Sequence, residues 1–165
     1  MHSKILEEAD YELIQSFQCE DEPTVGDFLH EQALRFQHLN LASTRLFFDD
    51  KHKLVGYYTL YNDMMEIGKE KRRKHGMEDL PSFKFYPAVK LHYLGVDSRY
   101  RKKGYGRYLL LHSLDTAEKI SQISGCLFMS VESLPNCMEF YLLHEFQVLS
   151  YSKPLTNMFF KLGEL

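Results

Sequence analysis

The stretch from Leu94 to Arg107 holds the residue types best suited to chemistry. A strand ending in Leu94-Gly95-Val96 leads into Arg101-x-x-Gly104-x-Gly106 and then into an amphipathic helix. Glycines let a backbone turn with its N–H groups pointing inward, and a helix N-terminus adds partial positive charge. Arg101, Lys102, Lys103 and Arg107 bring formal charge to the same point. The segment therefore reads as a site for a phosphorylated ligand. An ordinary strand-to-helix turn with a basic surface has the same short spacing, so at this level both readings stand. It is neither a Walker A loop, which ends in Gly-Lys-Ser/Thr, nor a full GxGxxG dinucleotide fingerprint.

The elements that must position this segment follow from hydrophobic patterning. The first strand is expected at Tyr11–Phe17, followed by an acidic turn at Glu20-Asp21-Glu22-Pro23. Thr24 then starts a helix, with Asp27 as its capping-box partner. Val25, Phe28, Leu29, Ala33, Phe36 and Leu39 form its apolar face, and it ends near Asn40. Ser43–Phe48 and Leu54–Tyr61 read as an antiparallel hairpin, with Gly56 marking a bulge or a close approach. Residues 64–86 are polar and broken by Gly68, Gly76 and Pro81; so long an excursion in a small domain is more often functional than accidental.

Ala88–Asp97 is the most strand-like run, and the helix after the glycines extends to about Ser124. Its apolar arc is Leu109, Leu110, Leu114, Ala117, Ile120 and Ile123. Cys126–Val131 is a further strand and Pro135–His144 a short helix. Phe146–Tyr151 and Asn157–Leu162 close the chain as a strand pair. The order β-α-β-β, then β-α-β-α-β-β, predicts an α+β fold, a mixed sheet covered by helices.

The 165 residues suit one domain over 1–165, and nine glycines and five prolines are too few for a low-complexity chain. Twenty Lys and Arg against 23 Asp and Glu give a net charge of -3, which argues against an electrostatic grip on nucleic acid. The charge is unevenly spread. Between Ile5 and Leu34 there are acids and no Lys or Arg, whereas residues 69–74 read KEKRRK. Cys19, Cys126 and Cys137 form neither a CxxC pair nor a zinc pattern, so they are expected to be reduced, with no metal. No signal-like N-terminus or membrane-length apolar run is seen, and the expected compartment is the cytoplasm.

Two motifs resemble a family. Arg101-Lys-Lys-Gly104-Tyr-Gly106 resembles the acetyl-CoA signature Q/R-x-x-G-x-G/A of the GCN5-related N-acetyltransferases (GNAT), preceded as in that family by a Leu-x-Val strand and Arg99-Tyr100. Glu139–Phe146 is similar to the family's F-Y-x-x-x-G-F segment. Phe17-Gln-Cys19, Asp27-Phe-Leu29 and Gly56-Tyr-Tyr-Thr-Leu60 look like a branch that includes toxins modifying aminoacyl-tRNA. In three places the sequence departs from the pattern: Lys102 and Glu145 stand where the family often has glycine, and Asn136 lies five residues before Tyr141 where seven is more usual.

The resemblance implies a GNAT-like, mostly antiparallel central sheet flanked by helices, and acetyl transfer from acetyl-CoA to a primary amine by direct attack in a ternary complex. It implies that Leu94, Gly95 and Val96 face the pantetheine arm and that Arg101, Lys102, Lys103, Gly104, Tyr105, Gly106 and Arg107 hold the pyrophosphate. Asn136 is a further cofactor contact, and Tyr141 matches the acid that protonates the departing thiolate. Glu132 and His92 are candidates for the general base. The acceptor is expected to be a small-molecule or peptide amine, with tRNA left open, no membrane partner, and homodimerisation carried over from the family. The competing readings are a toxin acting on the amino group of aminoacyl-tRNA and a non-catalytic acetyl-CoA-binding module.

Overall fold

The computed structural model describes residues 1–163. Its strands are β1 (His2–Ile5), β2 (Ser43–Phe48), β3 (Leu54–Glu66), β4 (Phe85–Val96), β5 (Phe128–Ser133), β6 (Gln147–Ser152) and β7 (Leu155–Lys161). Its helices are α1 (Tyr11–Ile14), α2 (Pro23–Asp27), α3 (Ala33–His38), α4 (Lys69–Lys74), α5 (Tyr105–Ser124) and α6 (Met138–Leu142). The strands lie in one sheet in the order β1-β2-β3-β4-β5-β7-β6. Pairing is antiparallel at β1–β2, β2–β3, β5–β7 and β6–β7. This is the expected α+β class. Residues pack into two compact units, Met1–Tyr61 with Leu91–Asp115, and Asn62–Lys90 with the chain from Thr116 onward; β3, β4 and α5 run through both. Among the described residues no helix is long and apolar enough to cross a membrane.

In the first unit, segment 23–38 is one helical stretch whose middle turn, Phe28–Gln32, is π-helical. Pro23 occupies its first turn, where a missing N–H costs nothing. Neither Thr24 nor Asp27 forms the expected capping box: the N-cap is Glu22, with no side-chain cap. Val25, Phe28, Leu29 and Ala33 are buried with Leu6, Ile14, Phe17, Leu46 and Tyr57. Leu39, assigned to the same face, is 57% exposed, because α3 has already ended at His38. Asn40 takes φ 54° there, and the Leu41 N–H returns to the Phe36 carbonyl at 2.9 Å, a Schellman turn with Asn in the left-handed position.

Residues 11–17, expected as a strand, are instead helical over Tyr11–Ile14 after a 3-10 turn at Glu8–Asp10. Ile14 and Phe17, three apart, are the fully buried pair, a helical and not a strand spacing. The buried Asp10 carboxylate fixes the turn, accepting from the Glu7 N–H at 3.0 Å and pairing with Lys4 at 2.7 Å. The first strand is in fact β1, an edge strand on β2. The β2–β3 hairpin forms as expected, and Thr44 and Thr59 bond across it at 2.8 Å in the core. Both readings of Gly56 hold. The register shifts from Phe47↔Gly56 to Phe48↔Leu54, a bulge, and a Cβ on Gly56 would lie 2.7 Å from the Gly95 carbonyl oxygen.

In the second unit, β7 lies between β5 and β6, so its Met158, Phe159 and Phe160 are buried, while β6 forms the polar edge. The excursion before β4 shrinks because β3 continues to Glu66 and β4 starts at Phe85. What remains is folded around Arg72. This arginine of the KEKRRK run is 9% exposed, and its Nη1 donates to the Leu80 and Pro81 carbonyls (3.4 and 3.2 Å) and to the Tyr86 hydroxyl (2.8 Å). Its Nη2 donates to Ser82 Oγ at 3.2 Å. Gly76, at φ 65°, ends α4 by returning the Met77 N–H to the Arg72 carbonyl at 2.8 Å.

On α5, Leu109, Leu110, Leu114 and Ala117 are buried as expected, but Ile123 in the final turn is 86% exposed. Because Arg72 holds three groups of the loop and the Tyr86 hydroxyl of β4, Arg72→Ala should leave several of them without a partner. A loss of about 2–3 kcal/mol in urea-unfolding free energy is expected.

Candidate active site

The loop after β4 is built outward from Asp97, whose side chain is fully buried. Its Oδ1 accepts from the Arg99 N–H at 2.9 Å and from Arg99 Nε at 2.8 Å; its Oδ2 accepts from Arg99 Nη2 at 2.7 Å and from the Gln18 N–H at 3.0 Å. Burial opposes ionisation of Asp97, but these donors outweigh it and hold the carboxyl below its usual range. The same contacts fasten segment 16–20 along the end of the strand. Ser98 N–H donates to the Gln18 carbonyl (2.8 Å), Glu20 N–H to Ser98 Oγ (3.0 Å), and Arg99 Nη2 to the Ser16 carbonyl (2.8 Å).

Arg101 comes next. Its guanidinium is occupied within the protein, by Asp21, by the Val96 carbonyl at 3.1 Å and by Cys19 Sγ at 3.2 Å. Its side chain thus anchors the loop, and the exposed cations around the turn are Lys102, Lys103 and Arg107. Lys103 Nζ stands 5.5 Å over the Tyr100 ring. Lys102 and Gly104 take φ 59° and 81°, so Lys102 adopts the left-handed conformation that glycine would provide. The first α5 bond to the carbonyl four residues back runs from Tyr108 to Gly104 at 3.1 Å, leaving the amides of Tyr105, Gly106 and Arg107 outside the helical ladder. A Cβ on Gly104 would meet nothing within 4 Å, so its backbone is open to an approaching group. Gly95 is closed in: a Cβ there would lie 2.5 Å from Val25 Cγ1 and 3.1 Å from Tyr57 Cε1.

His92, on the same strand, is packed against Phe28 (5.1 Å between ring centroids), Tyr61 (5.0 Å) and Tyr93 (4.6 Å). Phe28 meets both His92 and Tyr93, the latter ring stacked on it at 4.4 Å.

The second unit holds Glu132, Asn136 and Tyr141. Glu132, on β5, pairs with Lys90 on β4 at 2.9 Å. Ser130, two residues earlier, donates to Asp63 at 2.7 Å, a bond that sequence patterning gave no sign of. Asn136 Oδ1 lies 3.5 Å from Cys137 Sγ just ahead of α6. Tyr141, on α6, is buried; burial, with Cys137 adding to it, pushes its hydroxyl well above the ordinary tyrosine range, so it keeps its proton at any working pH.

The turn after Tyr141 is a second Schellman motif with an unusual residue. Phe146 N–H donates to the Tyr141 carbonyl at 3.1 Å and Glu145 N–H to the Leu142 carbonyl at 3.1 Å, while the Tyr141 and Phe146 rings meet at 5.4 Å. Glu145, in the position glycine usually fills, takes φ 67°. The turn is therefore as tight as a glycine would make it, and the strain of the left-handed glutamate is offset by the closed motif.

Residues 8–144 match the Acetyltransferase (GNAT) family. The chain belongs to that family. No curated protein matches the acetyltransferase sequence at a significant level. Among solved structures, AtaT complexed with acetyl-methionyl-tRNAfMet superposes with a TM-score of 0.81 at 24% identity, over 97% of this chain and 94% of that one. AtaTR bound with acetyl-CoA gives 0.78 at 26% identity, over 97% and 92%. A bacterial toxin gives 0.84 at 21% identity, over 97% and 89%.

Two outcomes test this geometry. Asp97 has a lowered folded pKa, so its contribution is fully present above the unfolded value near about 3.9 and is lost as pH falls through the folded value. Asp97→Asn should cost about 2 kcal/mol at pH 7, and urea unfolding at pH 3 should show that gap narrowed. Glu145→Gly should relieve the left-handed strain and stabilise the acetyltransferase by about 0.5–1 kcal/mol in the same assay.

Proposed function

We propose that the acetyltransferase moves acetyl from acetyl-CoA directly to a primary amine, acting as one domain over residues 1–165. The observation that carries this is the loop after β4, with amides outside the helical ladder at Tyr105–Arg107, an open backbone at Gly104, and exposed Lys102, Lys103 and Arg107. These groups suit a pyrophosphate, and Leu94, Gly95 and Val96 would take the pantetheine arm. Bound acetyl-CoA supplies an activated thioester.

Tyr141 acts as the acid for the departing thiolate: it is neutral at working pH, and its hydrophobic surroundings disfavour a thiolate as they do a phenolate. Between the two candidate bases, His92 is favoured, because it stands on the strand that takes the pantetheine arm. Asn136 is a further cofactor contact. The acceptor is taken to be a small-molecule or peptide amine.

A second reading places the amine on a charged tRNA. Two observations favour it: the structural neighbour holding acetyl-methionyl-tRNA, and the exposed Lys69, Arg73 and Lys74 displayed around the buried Arg72. Both readings are tested by offering radiolabelled acetyl-CoA with charged tRNA, with lysine-containing peptides, and with polyamines and amino sugars. Label in the tRNA pool selects the second reading, label in the other pools the first, and acetyl-CoA binding without label in any pool supports a binding module. Tyr141→Phe should lower kcat by about 100-fold or more with acetyl-CoA affinity retained. Unaltered turnover would remove Tyr141 as the acid.

A further inference from the structure

The ring cluster around His92 sits where the acyl end of the cofactor must arrive. Coenzyme A is linear, its pyrophosphate, pantetheine arm and thioester following in that order. With the pyrophosphate on the first turn of α5 and the arm along Leu94–Val96, the thioester is carried back along β4, against the chain direction. His92 stands two residues before Leu94, about 7 Å along the strand. Phe28, Tyr61 and Tyr93 surround it, and Phe36 lies parallel to it within 7° at 6.2 Å. Phe28 is buried, whereas Phe36, Tyr61, His92 and Tyr93 keep part of their surface in water, so the cluster is closed at its base and open at its rim. Phe28 is presented by the π-helical turn, a distortion common at functional sites and one that interrupts the regular spacing of the 23–38 helix.

We propose that Phe28, Phe36, Tyr61 and His92 form the acceptor subsite, and that it selects a primary amine with an apolar substituent on the carbon bearing the nitrogen. The proposal rests on the acetyl-transfer reading and names the substrate class for it. Ring faces reward an aromatic or long aliphatic group by area and dispersion. A second ammonium such as that of a polyamine would recover only part of its lost hydration from the ring faces. Selectivity of this kind follows the size of the apolar group, since each buried methylene adds a modest factor.

The test compares kcat/KM for phenylalaninamide, methioninamide, glycinamide and spermidine with acetyl-CoA. The expected result is a preference of ten-fold or more for the first two over the last two. In Phe36→Ala that preference should shrink several-fold, and in Phe36→Leu it should largely return, with the acetyl-CoA dissociation constant serving as the control for folding. Spermidine or glycinamide performing as well as phenylalaninamide would overturn the subsite, as would an equal loss for all four amines in Phe36→Ala. Failure of the parent reading looks different: acetyl-CoA binds and none of the four amines is acetylated, which overturns the subsite with it.

Discussion

A carboxylate from which water is excluded closes strand β4, and the shape of the loop after it follows from what that carboxylate must bind. Burying an ionised Asp97 costs several kcal/mol unless each oxygen finds donors. The strand end itself supplies Arg99; the remaining donor is the Gln18 amide, 79 residues away in the chain. Satisfying Asp97 therefore brings segment 16–20 alongside residues 96–99, and Ser98 locks it there from both sides. Cys19 and Asp21 are then in place to receive Arg101. The turn through Lys102 and Gly104 starts from a fixed point, which is what a binding loop needs if its amides are to be aimed before the ligand arrives.

A second constraint is steric. Gly95 lies beneath Val25, Tyr57 and Phe17, and Gly56 lies against the Gly95 carbonyl and Leu109, with no room for a Cβ at either position. The 23–38 helix and α5 thus press on the β3–β4 pair at its two glycines. Close packing of this kind tolerates little shift, so the strand that would carry the pantetheine arm is held from its sides as well as from its end. Gly95 was expected to serve the cofactor; what the structure shows for it is a packing duty.

Much of this was legible in the sequence, for reasons that also explain the failures. The strand–glycine turn–helix of 94–124 and the hairpin of 43–61 are governed by local periodicity, and both formed where expected. Residues 11–17 misled because the apolar positions of so short a segment satisfy two periods at once, and the deciding contact, Asp10 with Lys4 and Glu7, is polar. Arg72 could not be read at all. A Lys/Arg run looks solvated from its composition, and only the carbonyls of Leu80 and Pro81 reveal that one member is internal. Lys102 and Glu145 were departures in spelling only, since the backbone at both positions adopts the conformation of the missing glycine. The aromatic surround of His92 draws on residues from three separate elements, beyond the reach of any local pattern.

The same structure changes how the charge of the chain should be weighed. A net charge of -3 over 165 residues argued against nucleic acid. Yet several of its carboxylates are paired: the buried Asp10 and Asp97 with Lys4 and Arg99, and the exposed Asp21 with Arg101. Each pair removes one charge of either sign, so the field outside depends on where the remaining charges lie. What a phosphate backbone senses is the charge within a Debye length, about 8–10 Å at physiological ionic strength. On α4, Arg72 turns inward while Lys69, Arg73 and Lys74 are left at the surface together with Glu70. The sum over the whole chain is therefore the wrong quantity for choosing between a small amine and an amine carried by RNA. In the two proposed readings, the charges on α4 would act on an RNA carrier and the rings around His92 on the amine itself.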